Sequence, residues 1–138
     1  MVEKVLSLYE NESQISIDFN SESSSIFVQV DRNLWIQVLV NLIQNAQQAL
    51  SGKSDGVIQI NITKENNYCC IEVRDNGCGI SMEESTRIFT PHFTTKSSGS
   101  GIGLSLVKQI VEKHGGKVSF QSKENEGTSF HIEIPIVS

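Results

Sequence analysis

Positive charge is in short supply in this sequence. Eleven lysines and arginines stand against 16 aspartates and glutamates, a formal net charge of −5. No basic footprint for nucleic acid is present. An acidic balance still leaves a polyphosphate site open, because local backbone dipoles hold anions. Cysteine is also scarce: there are three, two of them adjacent (Cys69 and Cys70), which suits a reducing compartment better than a disulfide framework. The cysteines and histidines lack zinc-ligand spacing. No apolar run approaches a membrane span, and the first residues lack a signal-peptide layout, so the expected location is cytoplasmic. Internal repeats and domain boundaries are absent too. What remains is 138 residues, 38% hydrophobic, expected to form one domain over 1–138 that buries a real core.

Apolar spacing supplies the elements. Residues 1–10 read as a short helix or the end of a longer one, 14–19 as a half-buried strand, and 26–30 as a second short strand. Asp31 reads as the N-cap of a long helix reaching Leu50, whose apolar face runs from Leu34 and Trp35 to Ala46 and Leu50. Asn41 and Asn45 lie four apart on that helix, with Gln48 three further on, so the amides share one stripe. Asparagine is a mediocre helix former. The stripe is either a solvated edge or a pair of oxygens facing a hard cation such as Mg²⁺. Residues 56–63 and 67–74 read as a hairpin, with Cys69, Ile71 and Val73 on one face.

Next comes Asp75-Asn76-Gly77-Cys78-Gly79-Ile80, a carboxylate and two glycines at the end of a strand. It is either a plain turn or an acceptor beside bare backbone, able to take a hydrogen bond from an exocyclic amine such as adenine's. Nearly thirty residues then pass with only one short helix, begun by the capping box Ser81-Met-Glu-Glu84, and such segments are often lids. Gly101-Ile-Gly103-Leu104 opens a second long helix that Gly115-Gly116 ends. Strands at 117–120 and 128–134 close the chain. Three nucleotide motifs fail. Gly52-Lys53-Ser54 lacks the first glycine of a phosphate loop, since Gln47 stands there, and both Gly-x-Gly pairs lack the third glycine of a dinucleotide fingerprint. Gly99-Ser-Gly-Ile-Gly-Leu104 at a helix start remains, either a hinge or a cradle of N–H groups for phosphate.

The order of these features resembles the ATP-binding catalytic domain of sensor histidine kinases, within the GHKL ATPase superfamily, over roughly residues 30–138. Asn41-Leu-Ile-Gln-Asn45-Ala46 is similar to the family's N box, Asp75-x-Gly77-x-Gly79 to its first glycine box, and Ile88-Phe-Thr-Pro-His-Phe-Thr-Thr-Lys96 to its F box. Gly99-Ser-Gly101-Ile-Gly103-Leu104 is similar to the second glycine box and Gly127-Thr128-Ser-Phe to the last. The Phe-Thr-Thr-Lys form looks most like the nitrogen-regulation-type kinases; His92 replaces the commoner phenylalanine of the lid box.

The resemblance implies an α+β two-layer sandwich of the Bergerat type, a mixed sheet against three helices with an ATP lid. Its ligands would be ATP or ADP with Mg²⁺, the metal held by Asn45 with Asn41 assisting. Asp75 would accept from the adenine amine with Thr128 in support, and Gly77 and Gly79 would let the base approach. Lys96 would reach the phosphates, and Gly101, Gly103 and Leu104 would offer backbone donors. Ile80, Phe89, Thr94, Thr95, Gly99, Ser100 and Ile102 complete the implied nucleotide contacts. Gln48 stands where some relatives carry a basic residue.

None of His92, His114 or His131 lies in the phosphoacceptor setting of these kinases. The resemblance therefore implies an isolated domain with no acceptor of its own, and with 1–10 at most the tail of a dimerisation region. That region, carrying the acceptor histidine, and a downstream response regulator are the implied partners. The domain alone is expected to be a monomer without autophosphorylation, and its parent a homodimer. Alternatives are another GHKL class, such as an anti-sigma-type serine kinase or an ATPase, or a non-catalytic nucleotide-binding module.

Overall fold

A computed structural model describes residues 15–21 (backbone only), 28, 30–50, 52, 55–89 and 103–136. The expected helix at 1–10, most of the lid, and Thr94, Thr95, Lys96, Gly99, Ser100, Gly101 and Ile102 lie outside the described residues.

Strand β1 (Ile15–Ser21) is followed by helix α1 (Arg32–Ala49), the hairpin β2 (Gly56–Glu65) and β3 (Tyr68–Asp75), and a single turn α2 (Met82–Ser85). Helix α3 (Gly103–Lys113), β4 (Lys117–Lys123) and β5 (Gly127–Pro135) complete the order. The sheet runs β1-β2-β3-β5-β4, with β1 parallel to β2 and every other pairing antiparallel. A parallel pair needs a long crossover, which α1 supplies between β1 and β2. The sheet is thus mixed, and the α+β architecture is as expected. No helix among the described residues is long and apolar enough to cross a membrane.

Alternation sets the faces. Ile58 and Ile60 of β2, Cys69, Ile71 and Val73 of β3, and Phe130, Ile132 and Ile134 of β5 are buried, and they meet the apolar stripe of α1. Leu39 and Ile43 of that stripe are fully buried; each contributes about 1.5–3 kcal/mol by leaving water. Burial pushes the Cys69 thiol above its ordinary range, with Cys70 adding to the effect, so Cys69 is a core residue. Cys70 points to the other face, towards Glu65.

The expected strand at 26–30 is corrected in part: Val28 and Val30 are described, and neither lies in a strand. Both pack against the core from irregular chain leading into α1. Alternation records only which side chains turn inward, and a non-strand segment can satisfy it. Residues 26, 27 and 29 lie outside the described residues.

Helices α1 and α3 run antiparallel. Asp31 caps α1 by accepting from Leu34 N–H at 3.1 Å. Its own N–H donates to His114 Nε2 at 2.9 Å, just past the end of α3. At the opposite end of α3, Gly103 faces Asn41: a Cβ there would stand 3.2 Å from Asn41 Oδ1.

Candidate nucleotide site

The loop after β3 is held from three sides. Asn76 ties it to the start of β2, its Oδ1 accepting from Val57 N–H at 2.8 Å and its Nδ2 donating to the Asp55 carbonyl at 3.2 Å. The end of α1 holds it next, where Cys78 N–H donates to the Ala49 carbonyl at 3.1 Å. Gly77 lies so close to that carbonyl that any Cβ would collide with it. The β4–β5 hairpin closes the third side: Asn125 N–H donates to the Cys78 carbonyl at 2.7 Å, and Ile80 N–H to Ser122 Oγ at 2.7 Å. Gly79 has φ 74°, and a Cβ on it would strike the Lys123 carbonyl. Both glycines therefore have a reason within the protein, tight backbone packing that fixes the loop.

Asp75 sits at the end of β3 with 5% of its surface exposed, and its Oδ1 accepts from Gly77 N–H at 2.9 Å. Thr128, 4% exposed, is its register partner on β5. Burying a carboxylate and a hydroxyl is costly unless each is partnered, and no buried side-chain polar atom among the described residues lacks a partner.

Three features follow one another along α1. Its start is tied to His114, Asn41 faces Gly103 at the N-terminus of α3, and Ala49 abuts the Gly77–Cys78 backbone. Asn45 is half-buried one turn beyond Asn41, between the start of α3 and the loop. Gln48 is exposed. The expected set Asn41, Asn45, Asp75, Gly77, Gly79, Gly103 and Thr128 thus lies along the C-terminal half of α1, the start of α3 and the adjoining β3–β5 strand ends. Two amide oxygens are hard ligands of the kind Mg²⁺ takes. Gly103 puts no Cβ against the Asn41 amide, where one would stand 3.2 Å from Oδ1, and the donor chemistry of the two amides suits such an ion.

Ile80 bonds Ser122 through its N–H, and its side chain packs partly against the core. Phe89 is half-buried, edge-on to Phe120 (centroids 5.8 Å apart) and Phe130 (6.4 Å), with Lys108 Nζ 5.9 Å from its ring centre. Leu104 packs partly against the core. His114 Nδ1 lies 2.8 Å from the Ile110 carbonyl, so both ring nitrogens are engaged. His131 is 3.8 Å from Glu72 on the open sheet face.

Sequence reasoning missed Ser122, whose hydroxyl touches Ile80, Gly127 and Thr128. The signal was present: in Val118, Phe120, Ser122, a polar residue takes the third inward position of a strand.

Known proteins align with this arrangement. The sensor histidine kinase ZraS of Escherichia coli strain K12 is 37% identical over 126 residues, which are 91% of this chain and 27% of that protein. Sporulation kinase A of Bacillus subtilis is 34% identical, over 97% of this chain and 22% of the relative. The chain thus spans about a quarter of the length of these curated relatives. Among solved structures, the nucleotide-free catalytic domain of the histidine kinase ThkA superposes with a TM-score of 0.86 at 36% identity, covering 97% of this chain and 89% of that one. ThkA in complex with the response regulator TrrA gives 0.80 at 32% identity, over 99% of this chain and 39% of the other. Residues 30–138 match the family described as histidine kinase-, DNA gyrase B- and HSP90-like ATPases, and the chain belongs to that family.

Proposed function

We propose that this chain is the ATP·Mg²⁺-binding catalytic domain of a sensor histidine kinase, delivering the γ-phosphoryl group to a histidine on a separate dimerisation domain. The observation that carries it is the buried Asp75 carboxylate, locked by Gly77 N–H beside Thr128, with the N-terminus of α3 next to Asn41. Asp75 and Thr128 read the adenine amine. The polyphosphate runs towards the start of α3, where first-turn N–H groups and the helix dipole favour anions. Lys96 and the glycines at 99–103 complete the phosphate cradle.

Asn45 and Asn41 hold the magnesium ion, which when bound neutralises phosphate charge. Phosphoryl transfer depends on positioning and electrostatics more than on covalent help, so a domain that holds ATP and presents its γ-phosphate is a sufficient half of the machine. Both nitrogens of His114 are occupied within the fold, which leaves it no part as acceptor. A downstream response regulator follows from the same reading, by analogy with the ThkA–TrrA complex.

The test mixes this chain with a separately expressed dimerisation domain of a related sensor kinase and ATP labelled in the γ-phosphate. Acid-labile label on the dimerisation domain is expected. ATP binding with acid-stable label, or with no transfer to any such domain, would point to a serine kinase or a non-catalytic module instead.

A further inference from the structure

Ser122 makes three contacts and has one proton to make them with. Its Oγ accepts from Ile80 N–H at 2.7 Å, lies 3.0 Å from the Gly127 carbonyl, and lies 2.8 Å from Thr128 Oγ1. A hydroxyl offers one donor and two lone pairs. The Ile80 N–H can only donate, so it takes one lone pair. The Gly127 carbonyl can only accept, so it takes the proton. With all three contacts made as hydrogen bonds, the second lone pair of Ser122 is what remains for Thr128, and the Thr128 hydroxyl donates its proton to it.

The consequence falls on the neighbouring site. With its proton turned to β4, Thr128 has only lone pairs left for a ligand, and Asp75 beside it is acceptor-only when ionised. The two side chains together form an all-acceptor surface. Such a surface takes an amine, or a water that bridges to one, and leaves a carbonyl oxygen in the same place without a donor. A site built to hydrogen-bond one group rejects the analogue lacking it far more strongly than shape alone could.

We infer that Ser122 is a positioning residue for purine selection: by fixing the direction of the Thr128 hydroxyl, it makes the site prefer a 6-amino purine over a 6-oxo purine. The inference rests on the reading of Asp75 and Thr128 as the adenine contacts. It also gives a purpose to a polar residue on the inward face of a strand. The three bonds join the loop after β3 to both strands of the last hairpin, so the hydroxyl that orients Thr128 also anchors the floor on which the base would lie.

The experiment titrates the chain with Mg·ATP and with Mg·ITP, which carries a carbonyl where ATP carries the amine. The wild type should favour ATP, and Ser122→Ala should lower that preference by about tenfold, since a freed Thr128 proton can turn towards a carbonyl. Ser122→Thr, which keeps the hydroxyl, should restore it. In a Thr128→Val background, Ser122→Ala should leave the ratio unmoved, because the residue acts through Thr128.

An unchanged ratio in Ser122→Ala, or an equal drop with and without the Thr128 hydroxyl, overturns the role of Ser122 while leaving the adenine site standing. Equal binding of ATP and ITP to the wild type instead overturns the adenine reading, and this inference with it. If Ser122→Ala fails to fold, Ser122→Cys carries the same measurement, because its sulfur hydrogen-bonds only weakly, and a wild-type ratio there counts against the proposal.

Discussion

Two adjacent residues of the loop after β3 have opposite burdens. Gly77 is packed against the Ala49 carbonyl with no room for a methyl group, whereas Cys78 is exposed. Gly77→Ala must push the loop away from α1, and overpacking of this kind costs about 1–3 kcal/mol. Cys78→Ser should stay within about 0.5 kcal/mol, as surface changes usually do. Urea unfolding of both variants checks the contrast, and equal stabilities would show that the loop yields without cost.

Asp75→Asn tests polarity at the same scale. The oxygen of the introduced amide would keep the bond from Gly77 N–H, and its NH₂ would then face the base. ATP affinity should drop at least tenfold while GTP gains relative to ATP, measured by competitive titration. A variant that still prefers ATP as the wild type does would remove Asp75 from base recognition.

At the scale of elements, much was legible because it is local or periodic. The stripe of α1, its Asp31 cap, the inward face of β3, the Ser81 cap of α2 and the glycine end of α3 each depend on residues a few positions apart. The bond from Asp31 N–H to His114 was not legible, since it joins residues 83 apart and no spacing rule links them. A capping box would satisfy that N–H from the third residue of the helix, but Leu34 stands there and has no acceptor. The end of α3 supplies one instead, and His114 lies edge-on to Trp35 with centroids 6.4 Å apart. Val28 and Val30 mark the converse error, where alternation was legible and neither residue lies in a strand.

The two ends of this arrangement separate by mutation. Asp31→Ala should cost about 1 kcal/mol through the lost cap. His114→Phe, which keeps an aromatic ring beside Trp35, should cost about 1 kcal/mol through the lost bond. Both belong to stability alone, so chemical denaturation should register them while ATP affinity stays at the wild-type level. Loss of nucleotide binding in His114→Phe would mean that the start of α1 reaches the site.

For the whole molecule, the loop after β3 is tied to β2, α1 and the β4–β5 hairpin, and the start of α3 lies against α1 at Asn41. A ligand that spans that loop and the start of α3 therefore links parts the chain already holds in place, and its binding energy should appear as global stability. At 100 times its dissociation constant, a ligand of the folded state alone adds about 2.7 kcal/mol. For a domain of this size that corresponds to a Tm rise of roughly 10 °C. Mg·ATP at that excess should give such a shift, ATP with a chelator a smaller one, and Mg²⁺ alone almost none, since two amides without phosphate oxygens make a poor site for an ion that dehydrates reluctantly. Asn45→Ala should abolish the difference between ATP with and without metal. The stability of that variant without ligand should move by less than about 1 kcal/mol, because the helix propensity of alanine offsets the lost polar contact. If differential scanning shows the same metal-dependent shift in Asn45→Ala as in the wild type, the metal is held elsewhere, and the asparagine stripe of α1 is the solvated edge of an amphipathic helix.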